Sequence, residues 1–237
     1  MHIDFENNGY FVVREFFDDI TVKLMQQYWD LKWRQINFFR DNNIQDELRN
    51  LNHSFKQGES LTKEDNDVGF SFNFYNDTLM ESIELCYGQK ASSMLKATLS
   101  PTYTFTRIYE KGSPLIPHQD RPSCEVSATC PVFISDDRPS QICISNHKWW
   151  EISEDHRKYS IEEIKQKGDF SEVHLYPGDA CFYKGCERYH WRDPIESDCM
   201  VQFFMHFIQT NGEHKDWVFD KRPFMGFPDR YKGIQQE

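Results

Sequence analysis

His118-Gln119-Asp120 is the triplet in this chain with the most explicit chemistry. In an extended strand, residues two apart point to the same side, so an imidazole and a carboxylate can meet one metal ion. A third ligand must come from elsewhere, because no nearby residue reaches the remaining face of the ion. His190 is the candidate, 70 residues after Asp120. It follows the turn Pro177-Gly178-Asp179 and the apolar run Ala180-Cys181-Phe182. Two histidines and one carboxylate on one face leave the opposite positions open, the pattern of iron(II) sites that take a co-substrate and then O₂. Zinc more often has a closed tetrahedral set or a thiolate ligand, and the cysteines here are not spaced to supply one. By itself the triplet is weak evidence, since a chain with nine His and many Asp produces it by chance. The metal-free alternative keeps His118 and His190 as hydrogen-bonded core histidines. Context favours the metal, because each histidine follows a strand candidate and a glycine-containing turn.

The elements that would position these residues change in character along the chain. Gly9–Val13 reads as a short strand, being aromatic and β-branched after Asn7-Asn8. Asp18 or Asp19 can cap a helix running to about Phe38, with Ile20, Leu24, Tyr28 and Leu31 as its apolar stripe. Arg40 to Asp67 is polar and reads mainly as surface connection. Two helices are predicted at about 76–87 and 89–97, separated by Gly88. After Pro101 the period becomes two: Tyr103, Phe105, Arg107 and Tyr109 share one strand face. Further strands are predicted at about 115–120, 124–134, 141–145, 172–175, 180–184 and 199–208. The stretch 146–168 interrupts them with a polar, partly helical insertion around Ser160–Ile164. Its Trp149-Trp150 pair fits a substrate lid or an aromatic anchor equally well. Helices followed by many short strands give an α+β chain with a sandwich or jelly-roll half.

Composition narrows the function classes. The aromatic share is 16%, which demands a packed core. A formal net charge of −11 repels phosphate backbones and argues against nucleic acid as a general partner. No apolar run approaches the roughly 20 residues that span a bilayer, and no signal-peptide pattern is visible at Met1–Asn7. Seven cysteines without a C-x-x-C pair read as free thiols in a reducing compartment, hence a cytoplasmic address.

The segment Leu99-Ser100-Pro101-Thr102-Tyr103 through Arg107-Ile108-Tyr109, then Gly112, Leu115 and His118-Gln119-Asp120, is similar to prolyl 4-hydroxylase-like 2-oxoglutarate/iron(II) dioxygenases of the small bacterial and phage type. Leu175-Tyr176-Pro177-Gly178-Asp179-Ala180-Cys181-Phe182 up to His190 resembles the second half of the same pattern. The likeness covers about residues 99–208. It implies a double-stranded β-helix (jelly roll) core with N-terminal supporting helices, all in one domain over 1–237. Within it, 1–98 would be mainly helical support, 99–208 the core, and 209–237 a C-terminal extension. The resemblance further implies Fe(II) on His118, Asp120 and His190, with 2-oxoglutarate and O₂ as co-substrates and ascorbate as reductant. The reaction would hydroxylate a C–H bond of a peptidyl (prolyl included) or small-molecule substrate, releasing succinate and CO₂.

Residue by residue, Tyr109 stands where a family tyrosine often bonds the co-substrate, and Thr129 matches a pocket threonine. One departure stands out. The family usually has Arg or Lys about nine or ten residues after the distal His, where this chain has Cys199 and Met200. The far carboxylate of 2-oxoglutarate still needs a cation, because an unpaired buried carboxylate is costly. Arg192 is the first candidate and Arg107 the second. Arg121 is third, since Glu125 or solvent can engage it. Two other classes remain open on these residues: a cupin-like, non-catalytic binding module, and a metal-dependent isomerase or dioxygenase without an oxo acid.

Overall fold

The period-two stretch after Pro101 becomes β3 (Leu99–Glu110), and its two faces have different neighbours. Ile108 joins the core against the helices, and Thr102, Thr104 and Thr106 are buried on the same side. Tyr103, Phe105, Arg107 and Tyr109 share the other side, as the alternation predicts. The computed structural model describes residues 2–44, 46, 47, 50, 71–152 and 158–233. Among them, α1 (His2–Asn8), β1 (Tyr10–Val13) and α2 (Asp19–Asp41) come first. β2 (Ser71–Tyr75), α3 (Thr78–Leu95) and β3 follow. Then come β4 (Leu115–His118), β5 (Val126–Ile134), β6 (Ser140–Ser145), α4 (Ile161–Lys167) and β7 (Phe170–Leu175). β8 (Ala180–Tyr183), β9 (His190–Arg192) and β10 (Cys199–Gln209) complete the strands.

The strands form a six-stranded sheet, ordered β1-β8-β5-β10-β3-β2, and a four-stranded sheet, ordered β4-β9-β6-β7. Every pairing is antiparallel. The sheets meet through Ile142, Ile144, Val173 and Leu175 of the smaller one and Cys181 and Tyr183 of the larger. On the outer side of the larger sheet, Met25, Trp29 and Ile36 of α2 join Met80, Ile83, Ala91 and Leu95 of α3 against Phe203, Met205 and Phe207. Each Leu, Ile, Met or Phe side chain among them contributes on the order of 1.5–3 kcal/mol when fully buried. A separate cluster of Cys143, Trp191, Ile161 and Ile164 seats α4 on the smaller sheet.

Several expectations change. Asp18 caps α2, accepting from the Thr21 N–H at 2.8 Å, but the buried face is not Ile20, Leu24 and Leu31. Those three face solvent, with Ile20 81% exposed, while Met25, Trp29 and Ile36 meet the sheet and Tyr28 packs at its margin. Both sets satisfy helical spacing, and the larger aromatic Trp29 goes to the flat sheet face. α3 is one helix rather than two, because a single glycine costs a helix only about 1 kcal/mol. Gly88 lies within it against the Phe207 ring, whose nearest atom is 3.7 Å from where a Cβ would sit. The short α1 and β2 have no counterpart in the sequence reading. Arg40 and Asp41 belong to α2, and most of the predicted connection after them lies outside the described residues. β4 ends at His118, so Asp120 lies in the turn beyond it, and Pro122–Cys124 forms a 3-10 turn ahead of β5.

After β10 the chain crosses β3 as irregular 3-10 turns, Lys215–Lys221 and Asp229–Tyr231. Arg222, buried, donates to Glu81 at 2.7 Å and to the Thr102 carbonyl at 3.0 Å. Asp220 is equally buried and accepts from Arg121 and Lys232, each at 2.7 Å, and from the Tyr75 hydroxyl. No helix among the described residues is long and apolar enough to cross a membrane.

Candidate metal centre

His118 and His190 face each other across the β4–β9 ladder. Their ring centroids are 4.3 Å apart. Asp120 is placed by its own backbone: its N–H donates to the Gly185 carbonyl at 2.9 Å, drawing the turn after β4 toward the segment before β9. The carboxylate oxygen Oδ1 then stands 3.5 Å from His118 Nε2 and 3.6 Å from His190 Nε2. Each imidazole uses Nδ1 on a backbone carbonyl, His118 on Ile116 at 2.8 Å and His190 on Arg188 at 3.0 Å. A carbonyl only accepts, so Nδ1 carries the proton and Nε2 presents a lone pair beside Asp120. Fixing one ring nitrogen so that the other can bind metal is the usual outer support of a ligating histidine. These three side chains form a group that could hold a metal ion.

The electrostatics agree with that use. Burial lowers the His190 pKa to about 4, helped by the neighbouring His118 and opposed by Asp120, so the ring is neutral at physiological pH. For Asp120, burial acts to raise the pKa, but His190 and His118 outweigh it and hold the carboxyl well below the usual range. A neutral His190 and an ionised Asp120 are states a metal ion requires of its ligands.

A cavity of about 200 Å³ contains this group, lined also by Tyr103, Phe105, Arg107 and Leu115. Tyr103 and Phe105 pass into a second cavity of about 580 Å³, whose other walls include Arg121, Phe227, Asp229 and Lys232. The C-terminal segment, expected as an extension, thus walls the cavity next to the metal group. Its irregular backbone carries no periodic signal to announce it.

The anion-partner candidates fall into different places. Arg192 is 1% exposed, and its Nε donates to the Gln141 carbonyl at 2.6 Å. Its Nη1 and Nη2 are buried without a partner, and so is the Tyr109 hydroxyl. The Arg192 guanidinium lies over the Tyr109 ring at 5.1 Å, and that of Arg107 lies over the same ring at 5.5 Å. Arg107 lines the metal cavity, with its Nε on Asn73 Oδ1 at 2.6 Å. Arg121 is engaged by Asp220 and stacks 4.5 Å from the Tyr103 centroid, while Glu125 accepts instead from the Gln209 N–H. Thr129 sits deeper and accepts from Gln202 at 2.7 Å. Trp149 and Trp150 stand half-exposed on a 3-10 turn and line neither cavity. Ser127 and His206, beside Asp120, were missed, although His206 continues the inward alternation of Gln202 and Phe204 on β10.

No family model matches the chain, and no curated protein matches it in sequence. Solved structures do match its fold. AviO1 from Streptomyces viridochromogenes is 10% identical with a TM-score of 0.60, over 89% of this chain and 94% of that one. The epimerase SnoN, in complex with Fe³⁺, alpha ketoglutarate and nogalamycin RO, is 12% identical with a TM-score of 0.57, over 100% and 94%. HygX from Streptomyces hygroscopicus, with nickel, 2-oxoglutarate and hygromycin B bound, is 12% identical with a TM-score of 0.55, over 98% and 93%. The chain thus shares its fold with these proteins, two of which were solved with a metal ion and 2-oxoglutarate (alpha ketoglutarate) bound.

Proposed function

We propose that this chain is an iron(II)- and 2-oxoglutarate-dependent oxygenase of the double-stranded β-helix type, forming one domain over 1–237, which hydroxylates a C–H bond of its substrate. The observation that carries the reading is the convergence of His118 Nε2, His190 Nε2 and Asp120 Oδ1, with both Nδ1 atoms tied to carbonyls. His118, Asp120 and His190 would hold Fe(II). When bound, iron with 2-oxoglutarate and O₂ would supply oxidation of the substrate C–H bond, with release of succinate and CO₂ and with ascorbate as an accessory reductant.

The remaining roles belong to the chain itself. The unpartnered Nη1 and Nη2 of Arg192 and the Tyr109 hydroxyl are buried donors with the chemistry for the far carboxylate of 2-oxoglutarate. Neither residue lines the metal cavity, and Arg192 borders another cavity. Arg107, on the metal cavity, is the second source of positive charge, and Thr129 supports the same region through Gln202. Phe105, Phe204 and Tyr183 around the ligands keep bulk water from the centre. Substrate would occupy the 580 Å³ cavity, a size in the usual range for small molecules. That favours a small molecule over a peptide, and the mix of aromatic walls with Arg121, Asp229 and Lys232 points to one with polar groups. All seven cysteines are free thiols, which supports a reducing, cytoplasmic setting.

The test is an anaerobic titration of purified protein with iron(II) and 2-oxoglutarate, followed by succinate measurement in air. A visible charge-transfer band that depends on both additions, then succinate formation, is the expected result. Failure to bind iron overturns the reading. Iron binding with neither band nor succinate would make the chain a non-catalytic binding module.

A further inference from the structure

The non-ligating side of Asp120 has its own hydrogen-bonded support. Oδ1 faces the two histidines, whereas Oδ2 accepts from the Ser127 hydroxyl at 3.1 Å. Ser127 Oγ in turn lies 3.0 Å from His206 Nδ1. The serine has one proton, and with it directed to the carboxylate, the bond from His206 must be an Nδ1–H donation. Ser127 and His206 are both buried, and the His206 ring stacks on Tyr103 with centroids 4.4 Å apart. The His206 backbone N–H is fixed on Glu84 at 2.9 Å.

Gly185 supplies an independent observation at the same place. A Cβ on Gly185 would lie 2.4 Å from Ser127 Oγ, 2.5 Å from Asp120 Oδ2 and 2.8 Å from the Cys124 carbonyl. Any side chain there would displace the carboxylate or the serine. The same residue accepts the Asp120 N–H, so it grips the aspartate from the backbone while leaving room for the bridge.

We propose that Ser127 and His206 are positioning residues that hold Asp120 to one-oxygen metal coordination, engaging Oδ2 so that only Oδ1 is presented to the ion. Resting on the metal assignment above, this gives a physical reason for the open coordination positions. A carboxylate free to rotate would offer both oxygens and occupy one position more. A rival use of the same atoms exists, because Asp120, Cys124 and His206 also lie close enough to hold a second ion. Against it, the Ser127 hydroxyl already bridges Asp120 and His206, and the Cys124 Sγ is engaged by the Tyr103 hydroxyl at 3.2 Å.

The test uses cobalt(II) as the probe, titrated anaerobically into full-length protein and read by affinity, stoichiometry and the ligand-field spectrum. Ser127→Ala should weaken binding about 10- to 100-fold, the range for lost outer support, and change the band intensity that reports coordination number. His206→Leu should move both readouts in the same direction. His206→Asn, which can place an amide N–H near the position of Nδ1, should restore them toward wild type. Wild-type affinity and spectrum in folded Ser127→Ala, or in His206→Leu where the serine variant does not fold, would overturn the proposal. So would two cobalt ions per wild-type chain. Absence of cobalt binding in the wild type would instead remove the metal assignment, and the positioning role with it.

Discussion

The Arg192 guanidinium lies over the Tyr109 ring, 5.1 Å from carbon to centroid, and the donors of both that are not otherwise used are buried. A buried arginine with two idle nitrogens is costly unless an anion completes it. Arg192→Ala should therefore raise the 2-oxoglutarate requirement by about ten- to a hundredfold, at about 1.4 kcal/mol per factor of ten. Iron affinity without 2-oxoglutarate should stay near wild type. An unchanged requirement in Arg192→Ala, with a large effect in Arg107→Ala, would move the role to β3.

Individual removal of His118, Asp120 or His190 should abolish stoichiometric iron binding while near-ultraviolet circular dichroism stays close to wild type. Chelator should inactivate the wild type, and iron(II) with ascorbate should restore it. Full turnover with one iron per chain in His190→Ala would exclude that histidine from the ligand set.

Stability of the C-terminal wall rests on the ion pair between Arg222 and Glu81, whose side chains are 0% and 2% exposed. Arg222→Ala leaves Glu81 buried without its cation, a loss of about 3–5 kcal/mol for a pair of this kind. Urea unfolding measures it directly. A midpoint indistinguishable from wild type would show that the segment docks without the pair.

Acid stability should carry a signature of His206, whose pKa burial pushes down to about 4, below the usual imidazole range. The folded state keeps the ring neutral, while the unfolded chain protonates it as pH falls below about 6.5. Stability from this group is therefore complete above about 6.5 and lost as pH falls toward 4. The loss is on the order of 3 kcal/mol. Metal-free wild type should lose more stability over that window than metal-free His206→Asn, which keeps His190 and so cancels its contribution. Parallel pH profiles would count against a neutral, buried His206.

How much of this was legible in the sequence depends on the range over which each signal acts. Period-two alternation placed Tyr103, Phe105, Arg107 and Tyr109 on one face because strand geometry is local. The three members of the metal group were readable from residue type and spacing, although Asp120 is positioned by a long-range bond to Gly185 rather than by the strand. The face of α2 was misread because two apolar stripes coexist on that helix, and only the sheet decides between them. Ser127, His206 and the 226–232 wall were invisible for the same reason. Ser127 meets His206 from 79 positions along the chain, and Gly226 meets Glu81 across 145.

The order of the larger sheet bears on how the chain is made. β10 lies between β5 and β3, so its central strand is the last one in the sequence. A ribosome releasing the chain from the N-terminus exposes β3 and β5 long before their shared neighbour exists. Non-local pairing of this kind is intrinsically slow, because the intervening loops must close before any contact compensates them. Synthesis must pass Gln209 and leave the exit tunnel before the sheet can zip. Until then the one edge of β3 and the one edge of β5 that take β10 stand open on the nascent chain, although β2 and β8 can already pair with their other edges. Completion of the larger sheet is therefore a late step, and until it occurs those edges are exposed to chaperones and to aggregation.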